Sequence, residues 1–190
     1  LYLCNKNLET ISNYDSNNAR HKLLAEVCMA AKYEGESIKT HHPQHQVTYP
    51  GYHSQICTEL ARSFADIGDI VRGRDLYRRD NKKNKTDKLQ EQLKKYFQKI
   101  YEGLTTANGA QNHYEDKDTD KNYYKLREDW WDANRAKVWE AITCHAGESD
   151  KYFRKTCGGD ENTATEAKNK CRCRDNQVPT YFDYVPQYLR

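Results

Sequence analysis

Apolar residues recur every three to four positions in two segments of the N-terminal half, and this spacing predicts two amphipathic helices. The first helix is predicted to begin near Asn17 or Asn18, which can cap it, and to stop at Gly35. The second is predicted to follow a cap at Ser54, and Gly68 in its interior suggests that another helix passes close to its backbone. The two stripes are Leu23, Leu24, Val27, Cys28 and Ala31, then Ile56, Leu60, Phe64, Ile67 and Val71.

Two further apolar stripes with helical spacing follow along the chain. Asp87 and Gln90 resemble a capping box for a third helix, which is predicted to end at Gly103. A fourth helix is predicted from Lys121 or Asp129 to Cys144. The two stripes are Leu89, Leu93, Tyr96, Phe97 and Ile100, then Trp131, Val138, Trp139 and Ile142.

The segments between the predicted helices are polar and rich in turn-forming residues, and we expect long loops there. Residues 178–190 are expected to start a new element after the last loop. Neither an internal repeat nor a convincing series of strands is present, so the predicted class is all-α with long loops and disulfides. The predicted loops are 1–16, 36–52, 72–88, 104–120 and 145–178.

Composition indicates thin helical layers in an oxidising compartment. Hydrophobic residues make up 36% of the 190 residues and charged residues 31%, which does not favour one large core. Seven cysteines in such a polar chain favour disulfides, and the odd number leaves one without a partner in this chain. Neither a signal peptide nor a transmembrane run is present, and the start at Leu1 suggests a piece of a longer protein.

Enzyme motifs are absent from the sequence. The phosphate-binding patterns GxGxxG and GxxxxGK[ST] do not occur, and neither does the nucleophile pattern GxSxG or the zinc pattern HExxH. Carboxylates are plentiful, but no pair stands out from the charged background. We therefore expect a binding protein that needs no cofactor.

The cysteine positions suggest bridges at the ends of helices. A Cys28–Cys57 bridge is expected between the first two helices, and Cys4 is left without a partner. The remaining four cysteines allow three pairings, which the sequence leaves open. The remaining four are Cys144, Cys157, Cys171 and Cys173.

A metal site is the less favoured alternative for these residues. Zinc could use His145 with the last four cysteines, but the CxC spacing at 171–173 is unusual for zinc. His41 and His45 have the spacing of a helical metal pair, but Pro43 is expected to break a helix between them. We therefore expect no bound metal, and a polar loop around these histidines and around His42 and His53.

Basic residues are concentrated in one segment that is predicted to bind anions. Residues 72–88 contain eight basic and three acidic residues, a net charge of +5, whereas the whole chain carries +3. Arg and Lys in this arrangement suit a sulfated glycan or an acidic cell surface, and a solvated turn is the alternative. Nucleic acid is disfavoured, because the cysteines indicate the wrong compartment for it. A second stretch, 151–174, carries seven basic and three acidic residues.

Four sequence blocks together resemble one known family, the Duffy-binding-like alpha domain of the variant erythrocyte membrane proteins of Plasmodium falciparum. The blocks are ARSFADIGDIVRGRDLY (61–77), LLAEVCMAAKYEGESI (23–38), WWDANRAKVWEAITC (130–144) and CRCRDNQVPTYFDYVPQYLR (171–190). The resemblance implies a Duffy-binding-like helical bundle assembled from three subdomains. Residues 1–52 would be the end of the first subdomain, 53–178 the bundle of the second and 179–190 the entry to the third.

The resemblance also implies a function and a location. It implies an adhesion module on the outer face of the infected erythrocyte, where it binds host glycans or protein receptors in cytoadhesion and rosetting. A neighbouring cysteine-rich head domain would be a further partner, and contact with that domain or with a host protein is the alternative to glycan binding. Membrane attachment would lie in other parts of the protein, and an upstream cysteine would pair with Cys4.

Shared family residues change which cations are expected to contact a ligand. Because IGDIVRG belongs to the whole domain type, Arg72 and Arg74 are expected to form internal ion pairs. The predicted glycan contacts therefore lie downstream, and they are Arg78, Arg79, Lys82, Lys83, Lys85, Lys88, Lys94, Lys95 and Lys99.

Overall fold

The computed structural model describes residues 3–10, 18–48, 55–75, 83–104, 110–115, 122–158 and 163–190. The described part is mostly helical, as the sequence predicts, and it matches the all-α class. Its helices are α1 (Lys6–Glu9), α2 (Ala19–Thr48), α3 (Ile56–Arg72), α4 (Lys83–Glu102), α5 (Ala110–His113) and α6 (Tyr124–Ile142). Two strands, β1 (Lys155–Cys157) and β2 (Thr165–Glu166), and two 3₁₀ turns, Phe182–Tyr184 and Gln187–Leu189, follow.

Helix α3 lies at the centre of the bundle and packs against both α2 and α6. The ring of Phe64 on α3 contacts two indoles of α6, with centroids 5.1 Å from Trp131 and 5.2 Å from Trp139. Gly68 is needed at the same crossing, because a Cβ there would lie 2.8 Å from the Trp131 ring. The expected close approach of another helix at Gly68 is confirmed.

The predicted apolar stripes form the core. Every stripe residue of α4 and α6 is buried, and so are Leu60, Phe64, Ile67 and Val71 of α3. Leu24, Cys28 and Ile56 are partly buried and pack against the core. Periodicity alone therefore identified the inward faces of all four long helices.

Several predicted helix ends are wrong, while others are confirmed. The N-cap of α3 is Gln55, one residue after the predicted Ser54, which lies outside the described residues. Helix α4 begins at Lys83, so Asp87 lies inside it and cannot form the predicted capping box. The end of α4 before Gly103 is confirmed.

Helix α2 continues past its predicted end at Gly35 and past Pro43 to Thr48, so residues 36–48 are not a loop. Gly35 does not stop the helix, because it is a packing position at the crossing with α6. A Cβ at this residue would overlap the carbonyl oxygen of Ile142. Pro43 is exposed, so its ring displaces no core side chain, and the expected break between His41 and His45 is wrong.

We expect Gly35→Ala to lower the free energy of unfolding by about 1–3 kcal/mol, because the new methyl group must push the two helix backbones apart. Glu36→Ala is a matched control on the exposed face of the same helix and should change stability by less than about 0.5 kcal/mol. Urea unfolding of both variants measures the difference. Because alanine is intrinsically the better helix former, a Gly35→Ala protein as stable as the parent would contradict the close crossing.

Two disulfides hold the C-terminal region against the bundle. Cys57 at the start of α3 is bonded to Cys171, 114 residues along the chain, and Cys157 of β1 is bonded to Cys173. The expected Cys28–Cys57 bridge is therefore wrong, because Cys57 faces the C-terminal loop instead of α2. Cys4, Cys28 and Cys144 carry free thiols.

The zinc alternative is also wrong, because three of its five candidate ligands are consumed in disulfides. The described residues contain no group of three or more His, Cys, Asp or Glu side chains arranged to hold a metal ion. The described residues contain two short strands and no longer series, since β1 and β2 form a small antiparallel ladder that pairs Lys155 with Glu166.

Candidate functional site

The outward face of α4 carries three of the predicted glycan contacts. Lys88, Lys95 and Lys99 are spaced by seven and four residues, which places them on one side of the helix, beside its buried stripe. Lys88 and Lys95 are exposed, whereas Lys99 pairs with Glu102 at 2.6 Å. Glu91 lies on the same face, so the face is of mixed charge with a cationic excess.

The other predicted contacts are only partly within the described structure. Lys94 is half-buried and lies on the flank of the α4 face. Lys83 and Lys85 belong to the first turn of α4, but their side chains are outside the described part, and Arg78, Arg79 and Lys82 lie outside it altogether.

Arg72 forms an internal ion pair, as expected, whereas the ion pair of Arg74 lies at the surface. Arg72 is completely buried and donates to the carboxylate of Asp69 at 3.0 Å and to the carbonyl oxygen of Gly68 at 3.0 Å. Arg74 pairs with Glu128 of α6 at 2.7 Å. Arg72 is therefore internal to the fold, and Arg74, just after α3, joins this end of the helix to α6 at the surface.

Asp183 connects the C-terminal segment to the bundle, and no local sequence pattern predicted this role. Its buried carboxylate accepts two hydrogen bonds from Arg135, at 2.9 and 2.8 Å, and one from the indole nitrogen of Trp131 at 2.9 Å. Its carbonyl oxygen accepts a further hydrogen bond from Arg72. Because these partners lie 48 to 111 residues away, only the folded chain brings them together.

Arg190 makes the second connection between the C-terminal segment and α3. Its guanidinium donates to Asp66 at 3.0 Å and to Asp69 at 2.6 Å. Burial raises the pKa of both carboxyl groups above the ordinary value, and the positive charge of Arg190 only partly offsets that effect. The two aspartates are therefore more easily protonated in the folded chain than in the unfolded chain.

This pKa shift predicts a pH dependence of stability. A carboxyl group whose pKa is raised by folding stabilises the fold below its unfolded pKa of about 4, and that contribution is lost as the pH rises through the folded pKa. Asp66→Asn removes one such group, so the stability of Asp66→Asn relative to the parent should increase as the pH rises from about 4 towards neutral. Urea unfolding of both proteins across this pH range measures the change in relative stability. A stability of Asp66→Asn relative to the parent that decreases as the pH rises would contradict the prediction.

Exposed aromatic and aliphatic side chains cluster on the same C-terminal segment. Tyr181, Tyr184, Tyr188 and Leu189 are 45–71% exposed. The guanidinium of Arg135 lies 5.6 Å from the Tyr181 ring centroid and 5.2 Å from that of Tyr184, and Tyr184 donates to Asp132 at 2.7 Å. Large, partly fixed tyrosines with exposed rings are typical of protein contact surfaces.

The described residues thus form a disulfide-bonded helical scaffold with a cationic helix face and a tyrosine-rich edge. Among its helices, none has the length and apolar character that crossing a membrane requires. These features define the class of disulfide-linked helical domains. The Duffy binding domain family matches residues 1–190, so the chain belongs to that family.

Solved structures support the family assignment. The chain is similar to the NTS-DBL1-alpha and CIDR-gamma double domain of the PfEMP1 protein from the Plasmodium falciparum varO strain, with 46% identity and a TM-score of 0.77 over 99% of this chain. It is also similar to the NTS-DBL1(alpha-1) domain of the same strain, with 46% identity and a TM-score of 0.75 over 98% of this chain. It covers 25% and 39% of those two chains, so it spans well under half of either.

A more distant neighbour was solved with a bound receptor. The DBLbeta domain of PfEMP1 IT4var13, in a structure bound to ICAM-1, is 31% identical over 98% of this chain, with a TM-score of 0.68. This chain covers 40% of that domain's chain. A search of curated proteins found no match.

Proposed function

We propose that this chain is part of a host-receptor-binding adhesion module on the surface of the infected erythrocyte, and that it binds without catalysing a reaction. Its membership of the Duffy binding domain family and its 46% identity to PfEMP1 head domains support this function. The related DBLbeta domain, which was solved bound to ICAM-1, is a precedent for receptor binding by the same fold. The observation that carries the proposal is the match of nearly the whole chain to these domains.

The ligand that we propose is a host-cell glycan, sulfated or of the blood-group type, held at the cationic face of α4. Lys88 and Lys95 are exposed there without a carboxylate partner in the described residues. The other predicted contacts, from Arg78 to Lys85, precede them along the chain. Binding that depends on these charges should weaken as salt screens them.

Charge reversal on α4 tests whether a glycan binds at this helix face. Lys88→Glu/Lys95→Glu should elute from a heparin column at lower salt than the parent and bind fewer erythrocytes, because two exposed cations become anions. The matched control is Lys32→Glu/Lys39→Glu, which makes the same charge change on the exposed face of α2. Equal elution of both variants would remove α4 as the contact surface, and failure of the parent to bind at physiological salt would discard the glycan ligand.

Contact with a protein is the second candidate function, and the exposed tyrosines of the C-terminal segment favour it. Tyr181 is 52% exposed and Tyr184 is 45% exposed, and such exposed rings suit a protein partner better than a polyanion. Tyr181→Ser/Tyr184→Ser should then reduce binding to host cells or to a neighbouring head domain, while heparin elution stays unchanged. Unchanged binding in both assays would exclude this edge as a contact site.

A further inference from the structure

Phe153 presents a phenyl ring to solvent just before β1. Its side chain is 48% exposed. The ring rests on that of Tyr152, with the two centroids 5.0 Å apart. Tyr152 is buried, and its hydroxyl donates to Thr180 Oγ1 at 3.1 Å. A fixed support therefore holds the ring of Phe153 outward, where it is available to a partner.

Basic side chains surround Phe153 on two neighbouring segments. The backbone amide of Tyr152 donates to the carbonyl oxygen of Ala167 at 3.1 Å, so the chain before β1 lies beside the chain after β2. Lys151 and Phe153 flank Tyr152, and Lys168 follows Ala167. Because these three side chains are exposed and lie within one residue of that hydrogen bond, they share one surface.

Two further cations complete this surface. The guanidinium of Arg154 lies 5.2 Å from the centroid of the Phe153 ring, and Lys155 begins β1. We call Lys151, Phe153, Arg154, Lys155 and Lys168 the Phe153 patch. Its four cations are exposed, and none of them forms an ion pair with a described carboxylate. The patch therefore keeps its positive charges available for an anionic partner.

Acidic residues near the patch reduce its positive charge without cancelling it. Glu166 is paired with Lys155 in the ladder and is partly buried. Asp160 and Glu161 lie between the two strands in the sequence, outside the described residues. With all three counted, residues 151–174 still contain seven basic and three acidic residues, a net charge of +4.

Disulfides fix both segments of the patch. Cys157, at the end of β1, is bonded to Cys173, and Cys171, three residues after Lys168, is bonded to Cys57 of α3. A surface that is fixed in advance loses little conformational entropy when it binds a partner. The ring and the cations are therefore arranged for contact before any partner arrives.

We propose that the Phe153 patch docks directly on an anionic phospholipid membrane of the host cell. The phenyl ring would enter the boundary between headgroups and acyl chains, while the basic groups contact lipid phosphates and carboxylates. The apolar stems of Lys and Arg can lie along such a boundary with their charges in the headgroup layer, as Arg154 already lies along the ring of Phe153.

The ring of Phe153 favours a lipid surface over other anionic partners. A sulfated polysaccharide would use the cations, but it has no apolar layer to receive the ring. A protein would need a cavity to bury the projecting ring, whereas a lipid surface takes it up without one. Because neither a glycan nor a receptor takes part, this inference goes beyond the proposed function.

Vesicles of phosphatidylcholine with phosphatidylserine are the probe, and vesicles of phosphatidylcholine alone are the reference. The oxidised parent chain should cosediment with the anionic vesicles more than with the reference, and added salt should weaken this binding. Lys151→Glu/Lys168→Glu should lower the partition coefficient at least about tenfold, since each cation near the surface contributes about fivefold. Phe153→Ser should lower it about three- to tenfold, because the apolar contact is lost.

Matched variants on α2 control for composition and total charge. Met29 is 45% exposed, so Met29→Ser removes an apolar side chain of similar exposure. Lys32→Glu/Lys39→Glu makes the same charge change on the exposed face of α2. Both should change the partition coefficient less than about threefold. Circular dichroism verifies that each variant is folded.

Phe153→Trp reports where the ring lies. The three native tryptophans are at most 6% exposed, so they are shielded from lipid by the fold. The emission of the Phe153→Trp protein should shift to shorter wavelength on anionic vesicles, and brominated acyl chains should quench it.

The outcomes separate this inference from the proposed function. No binding to anionic vesicles, or equal binding by Phe153→Ser and the parent, overturns it. Weaker binding by the charge variant alone, without quenching of the Phe153→Trp protein, overturns it in favour of a soluble polyanion. Because the vesicles contain no receptor, these results leave receptor binding standing, whereas a parent that docks on vesicles but binds no host receptor overturns the proposed function alone.

Discussion

Asp183→Ala is expected to lower the free energy of unfolding by about 3–5 kcal/mol, because it leaves a largely buried guanidinium without its carboxylate. The side chain of Asp183 is completely buried, and that of Arg135 is only 12% exposed. The same change leaves the indole nitrogen of the buried Trp131 without its acceptor. Chemical denaturation followed by tryptophan fluorescence measures the loss.

Asp132→Ala is the control for this prediction. Asp132 is exposed and accepts a hydrogen bond from Tyr184 of the same segment, so its loss should cost less than about 1 kcal/mol. The double variant Arg135→Ala/Asp183→Ala should lose less stability than the sum of the single variants, because each single change already breaks the pair. Additive losses, or a small effect of Asp183→Ala, would show that this contact does not hold the segment.

Removal of the Cys57–Cys171 disulfide is expected to have an effect of comparable size. The bond closes a loop of more than 100 residues, and in the chain-entropy account such a cross-link stabilises a fold by about 4–5 kcal/mol. Cys57→Ala/Cys171→Ala should therefore unfold at a much lower urea concentration. Both side chains are fully buried, so their replacement also leaves small cavities.

The second disulfide is a matched comparison within the same region. The Cys157–Cys173 disulfide links residues only 16 apart in the chain. For a loop of that length the chain-entropy account gives a stabilisation of about 3 kcal/mol. Cys157→Ala/Cys173→Ala should therefore be the milder change by about 1–2 kcal/mol. If removal of Cys157–Cys173 lowers the stability more than removal of Cys57–Cys171, loop length does not explain the stabilisation in this chain.

Local periodicity predicted the helices better than their ends. The stripe from Leu89 to Ile100 identified the buried face of α4, because burial repeats with the helical turn. The end predicted at Gly35 was wrong, since glycine serves equally well as a stop or as a space for a neighbouring backbone. Only the position of Ile142 on α6 decides between these two roles.

The cysteine pairing shows the same limit for long-range contacts. Cys28 and Cys57 lie on neighbouring helices, which made their bridge plausible from the sequence. A disulfide depends on which side of its helix each cysteine faces and on what packs there, and Cys57 faces the segment that contains Cys171. Of the candidate surface, the sequence predicted the cations of α4, of which Lys88 and Lys95 are exposed.

The sequence by itself determined the helical class, the buried stripes, the presence of disulfides and the family, because each depends on composition, spacing or contiguous motifs. Tertiary structure alone decided which cysteines pair, which charges are internal and which cations share a surface. Asp183 illustrates the reason, since its contacts to Arg72, Trp131 and Arg135 cross 48 to 111 residues. Such contacts leave no periodic pattern in the chain, and they form only when α3, α6 and the C-terminal segment pack together.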